Sequence, residues 1–321
     1  MRKKWPIVAS AAIGLTGASV AAIGYQLSNK IMYIKRKDGE FILNREITAQ
    51  RLNLDWYDRV AKESFTVDSP FGYTIHCHKI NSIVSNNTMI ISHGVKESHV
   101  NSLKYAPLFA RLGYNIVIYD QRRHGSTGGK TTSYGYYEKS DLAAVTEEVR
   151  NRIGQDAILG LQGESMGAAT ALQYAGDSSS KINFVIADCP FTSFHDQLNY
   201  LMARDSPFKS SSYAIKFVDF FIKRRDGYSL EEISPKAVIA HIHKPILFIH
   251  SALDTFIPPA MSQELFTLKQ NNKRLKIFPK GAHAQSYNEQ PLEYEKEIIR
   301  FLVDFNISDI PKDYQCPPIK A

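Results

Sequence analysis

The chain has 321 residues, 44% hydrophobic and 22% charged, an ordinary globular balance with length enough for one sizeable core plus an added segment rather than several small domains. Its formal net charge of +7 is mildly basic, but no stretch interleaves basic with aromatic residues on one face, which argues against nucleic acid as a partner. Three cysteines, Cys77, Cys189 and Cys316, cannot build a disulfide framework and lack metal-ligand spacing.

Part of the positive charge brackets an apolar segment: Arg2-Lys3-Lys4 before it, and Lys30, Lys35, Arg36 and Lys37 after it. That placement reads as attraction to a membrane surface. No charged residue occurs over 5–29, and 7–27 is rich in Ala, Gly, Val and Ile. A helix of about 20 residues at about 1.5 Å each crosses a bilayer core, so this segment is just long enough for a single-pass anchor. A cleaved signal is the alternative, with Ser19-Val20-Ala21 as a loose cleavage site. Basic residues on both sides leave the positive-inside count nearly balanced; the reading adopted puts the N-terminus inside and the domain that follows outside the cell. Ser10, Gly14, Ala18 and Ala22 recur every four positions, as chance alone provides in so small-residue-rich a segment.

Residues 30–64 read as a juxtamembrane connector with an amphipathic helix over 44–62, its apolar contacts being Ile47, Leu52, Leu54, Trp56, Tyr57 and Val60. Strands over 65–68 and 73–79 flank the turn signal Ser69-Pro70-Phe71-Gly72 and form a hairpin. His76 and His78 share a parity there, and without a third ligand a solvent-facing parity outweighs a metal pair. Strict alternation follows: strand 88–92, helix 102–112 closed by Gly113, strand 115–119, helix 138–152, and a strand over 157–161 leading to Ser165. Beyond come strand 183–187, strand 245–250, helix 259–269, strand 274–278 and helix 291–305. This pattern predicts a mostly parallel sheet covered by helices on both faces, with function at the strands' carboxyl ends. The tail 308–321 is irregular.

One stretch carries the chemistry. Gly163-Glu164-Ser165-Met166-Gly167 lies between an apolar strand and Ala168-Ala169-Thr170-Ala171-Leu172-Gln173-Tyr174, of helical character. A strand turning directly into a helix at G-x-S-x-G holds its serine in a strained backbone conformation, and the glycines leave it room. With this alternation around it, the chain resembles the α/β-hydrolase superfamily over about 65–305, most closely its membrane-anchored bacterial members related to the serine aminopeptidase and acyl-esterase branches. The implied domain spans 65–307. Its long gap, about 191–244, holds helical patterns over 194–203 and 213–223 and reads as the family's lid, whose aromatics either line an acyl pocket, touch lipid or glue the lid to the domain.

The resemblance implies a triad in the chain order Ser, Asp, His. Asp254 and His283 follow the strands over 245–250 and 274–278, so both reach the sheet edge that carries Ser165. Asp188 is the competing acid. His250 reads as support for the acid's loop, and His241 and His243 as surface or packing residues. The family's oxyanion donors correspond to the backbone N–H groups of Val95, after His93-Gly94, and of Met166, with His93 fixing its loop. Asp120 to Gly129 resembles the family's loop-pinning turn; a phosphate-loop reading lacks its lysine and following helix. Tyr134, Tyr136 and Tyr137 either edge the pocket or cap the next helix. No metal or organic cofactor is implied.

The resulting expectation is a membrane-anchored serine hydrolase acting on a small-molecule ester, thioester, lipid or peptide through an acyl-enzyme. A peptidase for short peptides is the enzymatic alternative, and a tethered, non-catalytic binding scaffold the alternative from another class.

Overall fold

The computed structural model describes residues 21–52, 54–205 and 212–308. Most of the segment read as an anchor, and Cys316 with most of the tail, lie outside those residues. Among the described residues no helix is long and apolar enough to cross a membrane. The described part of the apolar segment is helix α1, over 21–32, which packs on the lid rather than standing apart.

The connector breaks in two where one helix was expected. Helix α2 (Gly39–Thr48) starts earlier, because the Asp38 carboxylate accepts hydrogen bonds from the Glu40 and Phe41 N–H groups at its N-terminus. It stops at Gln50, whose φ of 55° no helix tolerates, and α3 (Leu54–Arg59) follows. The hairpin forms as expected from β1 (Ala61–Asp68) and β2 (Thr74–Asn81), antiparallel with Phe65 opposite Cys77.

Then come β3 (Thr88–Ser92), α4 (His99–Ser102), α5 (Ala106–Arg111) and β4 (Asn115–Tyr119). A single helix over 102–112 was expected, but Pro107 has no N–H to offer the Leu103 carbonyl, and Leu103–Tyr105 winds as a 3₁₀ turn between α4 and α5. The chain continues through α6 (Glu138–Ile153), β5 (Leu159–Glu164), α7 (Met166–Ala175) and β6 (Phe184–Asp188). The lid insertion holds α8 (Phe194–Asp205), α9 (Ser212–Asp226) and the short α10 (Pro235–Val238). The fold closes with β7 (Ile246–Ser251), α11 (Pro259–Leu268), β8 (Lys273–Phe278), α12 (Ser286–Glu289) and α13 (Pro291–Asp304).

The eight strands form one sheet in the order β1-β2-β4-β3-β5-β6-β7-β8, antiparallel at β1 and β2 and parallel from β4 through β8. Strand alternation divides the core between two faces. Ile90, Val117, Leu161, Val185 and Phe248 pack against Leu142 and Val145 of α6, Leu172 of α7 and Leu265 of α11. Met89, Ile91, Ile118, Ile186 and Ile249 pack on the other side against Phe109 of α5 and Ile298, Phe301 and Leu302 of α13. A third cluster joins the lid to the N-terminal helix: Met32 of α1 is buried with Ile215, Val218 and Ile222 of α9 and with Phe191, Phe194 and Tyr228.

The tightest point is the β5–α7 turn. A Cβ at Gly163 would collide with the Gly167 carbonyl, and one at Gly167 with the Ser92 carbonyl of the neighbouring strand. Both obstacles are backbone and cannot step aside. Gly167→Ala is therefore expected to cost about 1–3 kcal/mol, read as a lower urea midpoint at unchanged slope.

Candidate active site

Ser165 stands between β5 and α7 at φ 57° and ψ −116°, a region that a residue with a side chain enters only under strain. Its N–H donates to the Asp188 carbonyl at 2.8 Å, and its own carbonyl takes the Ala169 N–H at 3.0 Å. The backbone is thus held on both sides and the hydroxyl is presented at the strand's carboxyl end.

The loops after β7 and β8 bring the other two expected residues to it. His283 Nε2 lies 2.8 Å from Ser165 Oγ, and His283 Nδ1 lies 2.6 Å from Asp254 Oδ2. Asp254 is buried, and its Oδ1 accepts the Phe256 and Ile257 N–H groups at 2.9 Å each. Burial raises its pKa, but the hydrogen bonds from His250 and His283 more than offset this and hold the carboxyl below the usual carboxylate range. His250 bonds the Ile257 carbonyl at 2.8 Å and the Ser262 hydroxyl at 2.6 Å and stands 3.2 Å from Asp254 Oδ2. It braces the Asp254 loop.

The competing acid is elsewhere. Asp188 is fully buried under Tyr294, whose hydroxyl donates to it at 2.9 Å. Burial first, then the charge of Glu164, pushes it up to about 6. Asp254, Cys189 and His283 also form the one cluster of potential metal ligands among the described residues. Two of its members, Asp254 and His283, are already hydrogen-bonded to each other, and burial keeps the Cys189 thiol protonated.

At the end of β3, Gly94 and Val95 line the same cleft as Ser165. Among the described residues neither the Val95 nor the Met166 N–H is taken by a hydrogen bond. His93 spans its loop, with Nδ1 2.7 Å from the Gly94 carbonyl and Nε2 accepting the Gln121 N–H at 3.0 Å; burial keeps it neutral. Asp120 pins its turn by accepting from the His99 and Ser126 N–H groups at 2.8 and 3.0 Å. A second serine–histidine pair exists on the edge hairpin, Ser64 Oγ to His78 Nδ1 at 3.0 Å. Burial and the neighbouring His99 push His78 down to about 4, so it is a poor base. No third ligand joins His76 and His78 among the described residues.

A family model described as alpha/beta hydrolase fold matches residues 87–217. The uncharacterised protein YqkD of Bacillus subtilis (strain 168) is 42% identical over 299 residues, covering 92% of this chain and 97% of its own. The chain belongs to the α/β-hydrolase family. Among solved structures, the esterase Pf2001 of Pyrococcus furiosus superposes with a TM-score of 0.63 at 21% identity, over 78% of this chain and 94% of its own. An acylaminoacyl peptidase solved with a chloromethyl ketone gives a TM-score of 0.57 at 16% identity, over 82% of this chain and 44% of its own. Both likenesses are of fold.

In this α/β-hydrolase the cleft at Ser165 measures about 460 Å³ and is polar where an aromatic acyl pocket was one expectation. Phe256 is its one aromatic side chain among the described residues, and no residue of the lid helices lines it. The lid aromatics serve as glue: Tyr134 stacks on Phe194 at 4.0 Å, Tyr136 on Tyr228 at 4.6 Å, and Phe221 meets Tyr25 of α1 edge-on at 5.3 Å. The capping work falls to Glu138, which accepts the Ser133 and Gly135 N–H groups at 2.8 Å each. An apolar hollow of about 320 Å³ lies instead between α1, α8 and α9, lined by Leu27, Ile31, Leu198, Met202 and Val218.

Residues that sequence reasoning missed make the cleft's walls. Glu164, next to the serine, takes the Lys104 ammonium at 2.6 Å and the Tyr105 hydroxyl at 2.7 Å. Arg45, Glu46 and Arg51 come from α2 and the turn after it. A lysine among Leu103, Tyr105, Ala106 and Leu108 was a signal for the first group. Nothing local marked the second.

Because Asp188 keeps its proton in the folded chain up to about pH 6 while an unfolded aspartate loses it near 4, the fold binds the extra proton between those values. Stability from this group is fullest below about pH 4 and declines as pH rises towards 6. Asp141, raised to about 6 by its burial, contributes in the same sense. Asp188→Asn is expected to flatten the fall in unfolding free energy between about pH 4 and 6 by about 1–3 kcal/mol, measured by urea titration across that range.

Proposed function

We propose that this α/β-hydrolase is a serine hydrolase that cleaves a carboxylic ester or thioester through an acyl-enzyme. The observation that carries the reading is the unbroken relay from Ser165 Oγ through His283 to Asp254, with steps of 2.8 and 2.6 Å. A serine hydroxyl becomes a competent nucleophile when a base within hydrogen-bond reach takes its proton and a carboxylate orients and stabilises that base.

In the first half-reaction the Ser165 oxygen bonds to the carbonyl carbon while its proton passes to His283 Nε2. The tetrahedral oxyanion is received by the Val95 and Met166 N–H groups, each worth about 3 kcal/mol of barrier. His283 returns the proton to the departing alcohol or thiol as the carbon–oxygen or carbon–sulfur bond breaks. Water then gives a proton to His283 and attacks the acyl carbon, and the ester to Ser165 breaks as the proton moves back to Oγ. Asp254 stays ionised throughout, in keeping with its lowered pKa.

The charged groups in the cleft favour one second reading. A peptidase acting on short peptides needs a charge to hold a peptide terminus, and Arg51 is available for that. Aminoacyl amides assayed beside simple acyl esters separate the two readings. The apolar sequence over 7–27 supports a membrane tether; with the catalytic domain outside, the orientation adopted above, an impermeant fluorophosphonate is expected to label intact cells as fully as lysed ones.

Ser165→Ala and His283→Ala are each expected to lower turnover of an activated ester by on the order of 10⁴–10⁶ without shifting the thermal midpoint by more than a few degrees. Retention of most activity in either purified variant contradicts the assignment.

A further inference from the structure

The cleft beside Ser165 is lined by four cations, Lys37, Arg45, Arg51 and Lys104, and three carboxylates, Glu46, Glu97 and Glu164. Three of the cations are committed. Lys104, buried, is 2.6 Å from Glu164. Arg45 grips both oxygens of Glu97, at 3.1 and 3.0 Å, and reaches Glu46 Oε1 at 2.8 Å through its Nε. Lys37 pairs with the same Glu97.

Arg51 is different. Its nearest carboxylate oxygen, Glu46 Oε2, stands 3.7 Å away, beyond hydrogen-bond distance. That oxygen has no hydrogen-bond partner among the described residues. The Arg51 side chain is 29% exposed, so its donors face the cleft at little cost to the fold. A guanidinium presents five N–H groups in a planar fork that matches a carboxylate or phosphate. The one surplus positive charge among the lining residues therefore falls to Arg51, the lining cation whose side chain makes no hydrogen bond among the described residues. Asp254, the remaining carboxylate nearby, lies behind His283 and is met by the Phe256 and Ile257 N–H groups and by His250. It does not cancel Arg51.

A long neutral acyl chain fits this surrounding poorly, since Val95, Phe256 and Ala284 are the main apolar lining and the rest is charged or polar. Resting on the serine-hydrolase reading above, we propose that Arg51 is a specificity residue that receives an anionic group, a carboxylate or a phosphate, carried by the substrate beside its scissile ester. The substrate class is an anionic ester, selected by a residue that belongs to the N-terminal connector and not to the hydrolase core. The complementary charge also draws such a substrate to the cleft, an effect that salt weakens.

The test uses the full chain and two matched substrate pairs. The acyl-side pair is the p-nitrophenyl ester of adipic acid with its far carboxylate free, against the same ester with that carboxylate methylated. The alcohol-side pair is 1-butyrylglycerol 3-phosphate against 1-butyrylglycerol. The wild type is expected to show a higher kcat/KM for the anionic member of at least one pair. That preference is expected to fall about tenfold in Arg51→Gln, to fall further in Arg51→Glu, to survive in part in Arg51→Lys, and to shrink between about 0.05 and 0.5 M salt. The pair that responds tells which side of the ester carries the anion. A wild type that reacts with a fluorophosphonate yet prefers neither anionic ester overturns the inference, as does a preference that Arg51→Gln leaves intact. A wild type that reacts with neither the fluorophosphonate nor any ester strikes the hydrolase reading itself.

Discussion

Everything at this site depends on one strained residue. Ser165 carries a side chain at φ 57° and ψ −116°, a conformation costing about 1–3 kcal/mol wherever it occurs. The strain persists because α7 is pressed onto β3 and β5 so closely that only glycine fits at 163 and 167, and because the Ser165 N–H is tied to the Asp188 carbonyl on the adjacent strand. The parallel sheet then sets where His283 and Asp254 must be. Ser92 pairs with Gly163, Glu164 with Asp188, and Ser251 with Phe278, so the loops after β3, β5, β7 and β8 leave the sheet on one edge.

Around this point the polar groups brace one another. Asp254 is fixed by two backbone N–H groups and by His250. Its loop is tied to the lid, where the Gln197 amide donates to the Phe256 carbonyl at 2.7 Å and the Tyr200 hydroxyl to the Thr255 carbonyl at 3.2 Å. The lid is in turn strapped to the N-terminal helix: Arg225 of α9 donates to Ser28 Oγ at 3.0 Å and Asn29 Oδ1 at 2.7 Å, with its guanidinium over the Tyr25 ring. A Cβ at Gly24 would strike Phe217. Helix α1 is thus an integral part of the lid layer. Mutual pairing, with the Tyr105 hydroxyl on the same carboxylate, is what lets the charges of Lys104 and Glu164 sit buried beside Ser165.

Much of this was legible in the residues. The short apolar runs and the helices between them marked the strands of the sheet, since a strand buried on both faces leaves a continuous apolar signature such as Met89-Ile90-Ile91. Ser165 announced itself by its glycines, and Asp254 and His283 by following strands that had to end at the same edge. Val95 was reached by family resemblance, because nothing about a single valine signals a free N–H. Local breaks were harder. The end of α2 at Gln50 and the 3₁₀ turn before Pro107 come from backbone details that a hydrophobic pattern averages away. The cationic wall was not legible at all. Arg45 and Arg51 sit in a connector whose docking beside the cleft depends on the packing of Leu52 and its neighbours against the sheet, a long-range contact that no spacing within the connector records. The polar character of the cleft followed from that docking, and with it the departure from an aromatic acyl pocket.

The central claim is that one serine is activated by the relay through His283 to Asp254. Its most direct test is peptide mapping by mass spectrometry after brief reaction of the purified chain with a fluorophosphonate. The account predicts a single phosphonyl adduct on the peptide that contains Ser165, lost in His283→Ala. Failure of the wild type to form that adduct, or an adduct on another residue such as Ser64, would contradict it.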